Sequence, residues 1–420
     1  MYSVTHLKNG LTVATAEMPH MASVSLGIWV GVGSRYEPRE LNGVCHFIEH
    51  MLFKGTKRRS PKEISESVEG IGGYLNAFTS EEFTCFHARA AADRFPDLLD
   101  VLGDMFLNSR FAPADIAKER DVIKEEVAMY RDQPQHQVQE ILNATVWPGH
   151  PLGRSITGTN RSLNEIRRES LLTFLNRNYV TGSVVIAAAG KLEHRKVLKA
   201  VEHPSRRFKA GSRPVFAPAI SNQSEPRIRL ITKKTEQTQI ALGIRTCSRH
   251  DPRRHALRLL NAILGENMSS RLFQIIREDR GLAYSIYSTP SLFQDVGDLV
   301  ISAGLDADNV PRTLQLIRRE LRRCTESLPG AAELRRARDY VIGQTDLSLE
   351  STDNQMNWIG EQLLGYGKIT RAADYKRRLE KVRPAEIRAV ARDFFRPDRM
   401  NLALISPLKS TAGFANVFRL

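Results

Sequence analysis

The amino-acid sequence predicts an α+β fold of two similar domains made by internal duplication, each a mixed or antiparallel sheet packed against helices. Three observations carry this: a long internal repeat, strand and helix patterning mixed within each half, and enough apolar residues for more than one core. The 420 residues are 41% hydrophobic, and single cores stop growing at roughly 250–300 residues, so a chain of this length divides.

The repeat comes first, because a long period alters every later assignment. Ser23 to Pro38 reads SVSLGIWVGVGSRYEP, and Gln237 to Pro252 reads QTQIALGIRTCSRHDP. Each is an alternating strand centred on Leu-Gly-Ile, then Ser-Arg, a ring residue, an acid and Pro, and each leads into a helical apolar pattern. Near the ends of the halves, Asn176 to Gly190 (NRNYVTGSVVIAAAG) parallels Phe395 to Pro407 (FRPDRMNLALISP), a helix exit followed by a buried strand. In the first half, strands are expected at Thr12–Thr15, Val24–Val30, Phe83–Ala88 and Val184–Ala189. Helices are expected at Leu41–Phe53, Pro61–Glu69, Asp93–Leu107, Asp115–Arg131 and Arg161–Arg177. Ser205 to Pro226 is rich in Arg, Ser, Pro and Ala without apolar periodicity. The expected division is a domain over 1–212, a linker over 213–226 and a second domain over 227–420.

Lys and Arg number 61 against 47 Asp and Glu, a net charge of +14. The basic residues are scattered as pairs such as Arg167-Arg168 and Arg318-Arg319, with no interleaved aromatic series to stack bases, so no nucleic-acid partner is expected. Cys45, Cys85, Cys247 and Cys324 are far apart with no Cys-x-x-Cys pair, which argues for reduced structural thiols. Strand-like patterning begins by Thr5, no leader or transit peptide is visible, and no apolar run approaches ~18 residues; a cytoplasmic protein without membrane insertion is expected.

The chemistry concentrates in NGVCHFIEHMLFKGT. His46 and His50 are four apart, so on a helix they share a face and can aim two imidazoles at one ion. Glu49 leans over the same face, within reach of a water held there. A catalytic zinc needs a third protein ligand and an open position. The segment DIAKERDVIKEEVAMYR (115–131) supplies Glu119 and Glu126, seven apart and beside the apolar stripe of Ile116, Val122, Ile123 and Val127. Read by itself, that segment is better taken as a solvated helix with intrahelical ion pairs.

The HFIEHMLFKGT run, with Glu126 downstream and the duplicated halves, resembles the pitrilysin/insulinase family of inverted His-x-x-Glu-His zinc peptidases, in the short two-domain form similar to mitochondrial processing subunits. The resemblance implies one Zn²⁺ per chain on His46, His50 and Glu126, with Glu49 as general base and Glu119 as accessory acid. Glu125, the neighbouring carboxylate, points about a hundred degrees away and ranks behind Glu126. It further implies a substrate-binding strand over Leu75, Asn76, Ala77, Phe78 and Thr79, pairing with an extended peptide. In the second half, RLLNAILG stands where the motif would be, so no second metal is expected. There SSRLFQIIREDRGLAYSIYS matches the motif whose Arg277 and Tyr284 would hydrogen-bond the substrate. His87, His136 and His150 have no spacing relation to the motif and are expected to be structural or surface residues. The implied activity is endopeptidase cleavage of peptides or unfolded segments in a chamber formed by paired chains, as a homodimer or with a related partner. The alternative implied by the same family is a non-catalytic structural subunit of a processing-peptidase-like complex.

Overall fold

A computed structural model describes residues 2–220 and 222–419; Ser221, inside the expected linker, lies outside them, as do Met1 and Leu420. The strands are β1 (Tyr2–His6), β2 (Thr12–Glu17), β3 (Ser23–Val30), β4 (Tyr74–Thr79), β5 (Thr84–Ala91), β6 (Val184–Gly190), β7 (Arg227–Thr232), β8 (Thr238–Thr246), β9 (Ala283–Leu292), β10 (Gly297–Leu305) and β11 (Met400–Ser406). The helices are α1 (Val44–Leu52), α2 (Pro61–Glu69), α3 (Phe95–Asn108), α4 (Pro113–Asp132), α5 (Pro134–Val146), α6 (Asn160–Glu165), α7 (Arg168–Asn178), α8 (His194–Ser205), α9 (Arg254–Leu264), α10 (Val310–Glu326), α11 (Ala331–Ser348), α12 (Thr352–Tyr366), α13 (Ala372–Lys381) and α14 (Pro384–Phe394).

Two sheets form, with strand orders β1-β2-β6-β3-β5-β4 and β7-β11-β8-β10-β9. In the first, β2 and β6 run parallel while β6–β3, β3–β5 and β5–β4 are antiparallel. In the second, β7 and β11 run parallel while β11–β8, β8–β10 and β10–β9 are antiparallel. Apart from the extra β1, the two orders and directions coincide, which is the duplication in three dimensions. The fold class expected from the sequence is the one observed.

The compact units are not the two halves of the chain. One comprises Met1–Ala128, Arg154–Ala217 and Leu347–Thr370; the other comprises Met129–Gly153, Pro218–Asp346 and Arg371–Leu420. Each unit therefore takes one helix from across the linker: α12 belongs with the first sheet and α5 with the second. The reason lies in the central strands. β3 alternates Val24, Leu26, Ile28 and Val30 into a core with α1, α2, α3, α4, α7 and α8, and aims Trp29 at the other face, where Met356, Ile359, Leu363 and Leu364 of α12 cover it. β8 does likewise: Ile240, Leu242 and Ile244 join α9, α10, α11 and α14, while Ala241 meets Val138, Leu142 and Val146 of α5.

The repeated Leu-Gly-Ile acquires a purpose in this arrangement. A Cβ on Gly27 would lie 2.5 Å from Met356 Sδ, and one on Gly243 would lie 2.9 Å from Val146 Cγ2. The glycine of each copy thus makes room for the incoming helix to lie close on the sheet.

Within the first unit, two helix expectations differ from what forms. The helix expected from Leu41 begins at Val44, because Gly43 sits at φ +95° and interrupts the run. The single helix expected over Arg161–Arg177 is two, α6 and α7. Arg120 donates to the carbonyls of Leu163 and Ile166 at 2.9 and 2.8 Å, a cap from another helix that ends α6 there.

Candidate metal centre

Burial of Cys45, Phe47, Ile48, Met51 and Leu52 in the first core fixes the roll of α1, and this leaves His46, Glu49 and His50 on the side toward α4 and β4. Ile116, Ile123 and Val127 anchor α4 in that same core, which brings Glu119 and Glu126 to α1. Glu126 Oε2 lies 3.7 Å from His46 Nε2 and 3.6 Å from His50 Nε2. The two imidazole centroids are 4.5 Å apart, and the three donor atoms lie within 4.8 Å of one another, the one such convergence among the described residues. Ligands at tetrahedral zinc distances of about 2.0–2.1 Å would stand about 3.3–3.4 Å apart. The two separations from Glu126 Oε2 are within a few tenths of an ångström of that, and the three atoms converge closely enough that the set could hold a single ion. Glu125 is exposed and outside the cluster.

Protonation agrees with ligation. Burial, then the adjacent His50, lowers the pKa of His46 to about 3, so its imidazole is neutral and its lone pair free near pH 7. His50 Nδ1 donates to Glu119 Oε1 at 2.8 Å, which leaves Nε2 as the acceptor facing Glu126. Lys54 Nζ lies 2.8 Å from the other Glu119 oxygen. Burial alone would push Glu119 up, but the bonds from His50 and Lys54 outweigh it and hold the carboxyl below its usual range. His46 Nδ1 is buried with no protein hydrogen-bond partner, a departure from the fully supported ligand set that His50 shows.

Glu49 is raised above the usual carboxylate range by burial, against a 2.5 Å hydrogen bond that its Oε2 accepts from Thr79 Oγ1. A carboxylate made more basic and held by one oxygen is suited to taking up a proton on the other. Leu75, Asn76, Ala77, Phe78 and Thr79 form β4, the edge strand of the first sheet. Leu75 and Ala77 pack on the α1 side, Phe78 packs against Trp29 on the opposite face, and Ala77 N–H donates to Asn76 Oδ1 at 2.9 Å. The Thr79 contact with Glu49 and the Lys54 contact with Glu119 were missed from sequence. Strand alternation was the available signal for the first, since it sets Thr79 on the face of Leu75 and Ala77.

Arg277 and Tyr284 come together in the second unit. Arg277 closes a π-helical turn over Phe273–Glu278 and its guanidinium lies 5.9 Å from the ring of Tyr284, which is 75% exposed at the start of β9. No metal group forms at RLLNAILG. Arg258 stands where the first copy has His46 and is ion-paired with Glu266, whose Oε2 also accepts from Asn261 Nδ2 at 2.9 Å. Asn261 stands where Glu49 does, and Ser288 of the edge strand β9 donates to its Oδ1 at 2.7 Å. That bond mirrors Thr79 with Glu49, and at the position of His46 the second copy carries a guanidinium paired with an acid. His87 sits on β5 beside β4, and His136 and His150 lie in the second unit; none joins the cluster. No helix among the described residues is long and apolar enough to cross a membrane.

Comparisons with known proteins agree with this geometry. Residues 12–160 match the family described as Insulinase (Peptidase family M16), and residues 165–341 match the Peptidase M16 inactive domain. An uncharacterized zinc protease of Streptomyces coelicolor is 38% identical over 96% of this chain and 89% of its own length. The uncharacterized zinc protease YmxG of Bacillus subtilis is 36% identical over 95% of this chain and 97% of its own. Among solved structures, a protease from Helicobacter pylori superposes with a TM-score of 0.91 at 20% identity, covering 97% of this chain and 99% of that one. With relatives this similar over nearly the whole chain, and with the one candidate metal group among the described residues lying in the first copy, the protein belongs to the M16 (insulinase) family of zinc proteases, in its two-domain form.

Proposed function

We propose that the protein is a zinc-dependent endopeptidase that hydrolyses peptides or unfolded segments, with His46, His50 and Glu126 holding one zinc per chain. The observation that carries the reading is the meeting of His46 Nε2, His50 Nε2 and Glu126 Oε2 beside Glu49. When bound, the ion supplies a Lewis acid for the scissile carbonyl and lowers the pKa of a water toward ~7. Glu49, steadied at Oε2 by Thr79, accepts the proton of the attacking water at its other oxygen and returns it to the leaving amine. Glu119 holds His50 in the tautomer that presents Nε2.

Edge strand β4 accepts an extended peptide by backbone pairing, and the peptide takes over the Ala77 N–H that Asn76 engages in the free protein. Arg277 and Tyr284 are the donors that we assign to the substrate from the second copy. Chains act in pairs, identical or with a related partner, and enclose substrates small or unfolded enough to enter.

The test is zinc content and hydrolysis of a quenched peptide by the unmodified protein and by Glu49→Gln. Retained zinc with activity reduced by orders of magnitude is expected of the variant. Stoichiometric zinc with no hydrolysis by the unmodified protein would favour a structural subunit instead.

A further inference from the structure

The first turn of the metal helix has an unusual cap. Helix N-termini leave backbone N–H groups without helical partners, and a side chain at the N-cap commonly satisfies one. Here the N-cap is Gly43, which has no side chain to offer and sits at φ +95°. Nothing larger fits, because a Cβ at Gly43 would lie 2.8 Å from the Thr157 carbonyl oxygen and 2.9 Å from Gly158 Cα. The acceptor comes instead from Glu37, which is 3% exposed. Its Oε2 accepts from Gly43 N at 2.7 Å and from Asn42 Nδ2 at 3.0 Å, while its Oε1 accepts from Cys45 N at 2.9 Å. The next residue is His46.

Glu37 is itself pinned. Arg154 donates to its carbonyl oxygen at 2.7 Å, and its loop is tied to the end of β4 by Ser34 N to Ser80 O at 3.1 Å and Arg35 N to Glu81 O at 2.8 Å. Ser80 follows Thr79, the residue that holds Glu49. One short loop therefore joins the start of the ligand helix to the strand end that orients the base.

The second copy is an internal control. Its acid in the same Ser-Arg-ring-acid-Pro signature is Asp251, whose two carboxylate oxygens are taken by the guanidinium of Arg253, while Oδ1 also accepts at 2.8 Å from Arg253 N, the N-cap N–H of α9. Where no ligand helix needs placing, the acid is one methylene shorter, grips a single N–H of its helix and gives its other oxygen to an arginine side chain alone. In the metal-bearing copy both oxygens go to the helix.

We propose that Glu37 is a positioning residue for the zinc centre: by gripping two backbone N–H groups of the first turn of α1, it sets the alignment of His46 with His50 and Glu126. This rests on the zinc reading above. Groups that hold ligands from behind typically change metal affinity by about 10–100-fold when removed, and that is the loss expected for Glu37→Gln in a competition titration of zinc against a chelator. Ser60→Ala is the reference for stability alone, since Ser60 caps α2 in the same unit through Glu63 N; it should lower the melting temperature with zinc affinity unaltered. Asn42→Ala, which leaves the carboxylate in place but removes one of its donors, should give a smaller loss of affinity and serves if Glu37→Gln does not fold. Zinc affinity within about twofold of the unmodified protein in the folded Glu37→Gln, or in Asn42→Ala where only that variant folds, would overturn the proposal, as would an affinity loss matched by Ser60→Ala at equal loss of stability. His46→Ala separates the two readings: if the unmodified protein binds no more zinc than His46→Ala does, the zinc assignment falls and this inference with it, whereas a loss in His46→Ala without one in Glu37→Gln sinks this inference alone.

Discussion

Thr79 Oγ1 donates a 2.5 Å hydrogen bond to Glu49 Oε2, linking the edge strand of the first sheet to the metal helix. Hydrogen bonds to charged groups contribute roughly 1.5–3 kcal/mol, and each ~1.4 kcal/mol is tenfold in rate. Thr79→Val, which keeps the shape and removes the donor, should therefore lower kcat about 10–100-fold with zinc content unchanged, and Thr79→Ser should restore most of it. Steady-state peptide hydrolysis beside metal analysis decides. Equal rates for the Val and Ser variants would show that Thr79 does not orient the base.

Glu119 acts on the other side of the helix, where it accepts from His50 Nδ1 and pairs with Lys54. Glu119→Ala should weaken zinc binding about 10–100-fold in a chelator competition, because His50 then loses the partner that fixes its tautomer. Lys54→Ala should have a smaller effect, since it removes the group behind the group. A larger effect at Lys54 than at Glu119 would reverse that order of action.

The motif was legible because a helix places residues four apart on one face, and His46 and His50 needed nothing more to be paired. Glu126 was harder: by itself its helix read as a solvated one, the family resemblance alone singled it out, and the fold, by anchoring Ile123 and Val127, brings its carboxylate within 3.7 Å of an imidazole. Helix α2 was predicted to the residue, since Ser60, Pro61 and Glu63 form a capping box with proline at the first position. The break between α6 and α7 was not legible, because Arg120, distant in sequence, supplies the cap. The exchange of α5 and α12 was invisible for a related reason. Periodicity shows that a helix has an apolar face and says nothing of which sheet receives it.

A pH dependence of stability is expected from His255 on α9. Burial, then the neighbouring Arg254 and Arg378, lowers its pKa from an ordinary 6.5 to about 4, and its ring packs 5.7 Å from that of Tyr375. The unfolded chain thus takes up the proton more readily than the folded one. The sign follows: the contribution is complete above about pH 6.5 and is lost as pH falls toward 4. His255→Gln should flatten the fall in urea midpoint between pH 7 and pH 4.5, and superimposable profiles for the two proteins would contradict this.

The exchanged helices make a prediction about glycines. A Cβ on Gly360 of α12 would lie 2.3 Å from the ring of Trp29, which is fully buried and has no room to yield. One on Gly243 of β8 would meet the methyl ends of Val146 and Leu142 of α5 at 2.9 and 3.1 Å, which can give way more easily. Gly103, inside α3, has nothing within 4 Å of its would-be Cβ, and alanine there should gain about 0.5–1 kcal/mol from helix propensity. Overpacking a filled site typically costs about 1–3 kcal/mol. Melting temperatures should therefore fall in the order Gly103→Ala, unmodified protein, Gly243→Ala, Gly360→Ala. The position of Gly360 in that order is the informative one. It lies in the second half of the sequence but belongs to the compact unit that carries the metal ligands, so its substitution should lower zinc retention on heating together with the melting temperature of the first unit, and Gly243→Ala should leave zinc retention nearer that of the unmodified protein. Equal effects of the two substitutions on zinc retention would mean that α12 does not support the first sheet as its packing on Trp29 implies.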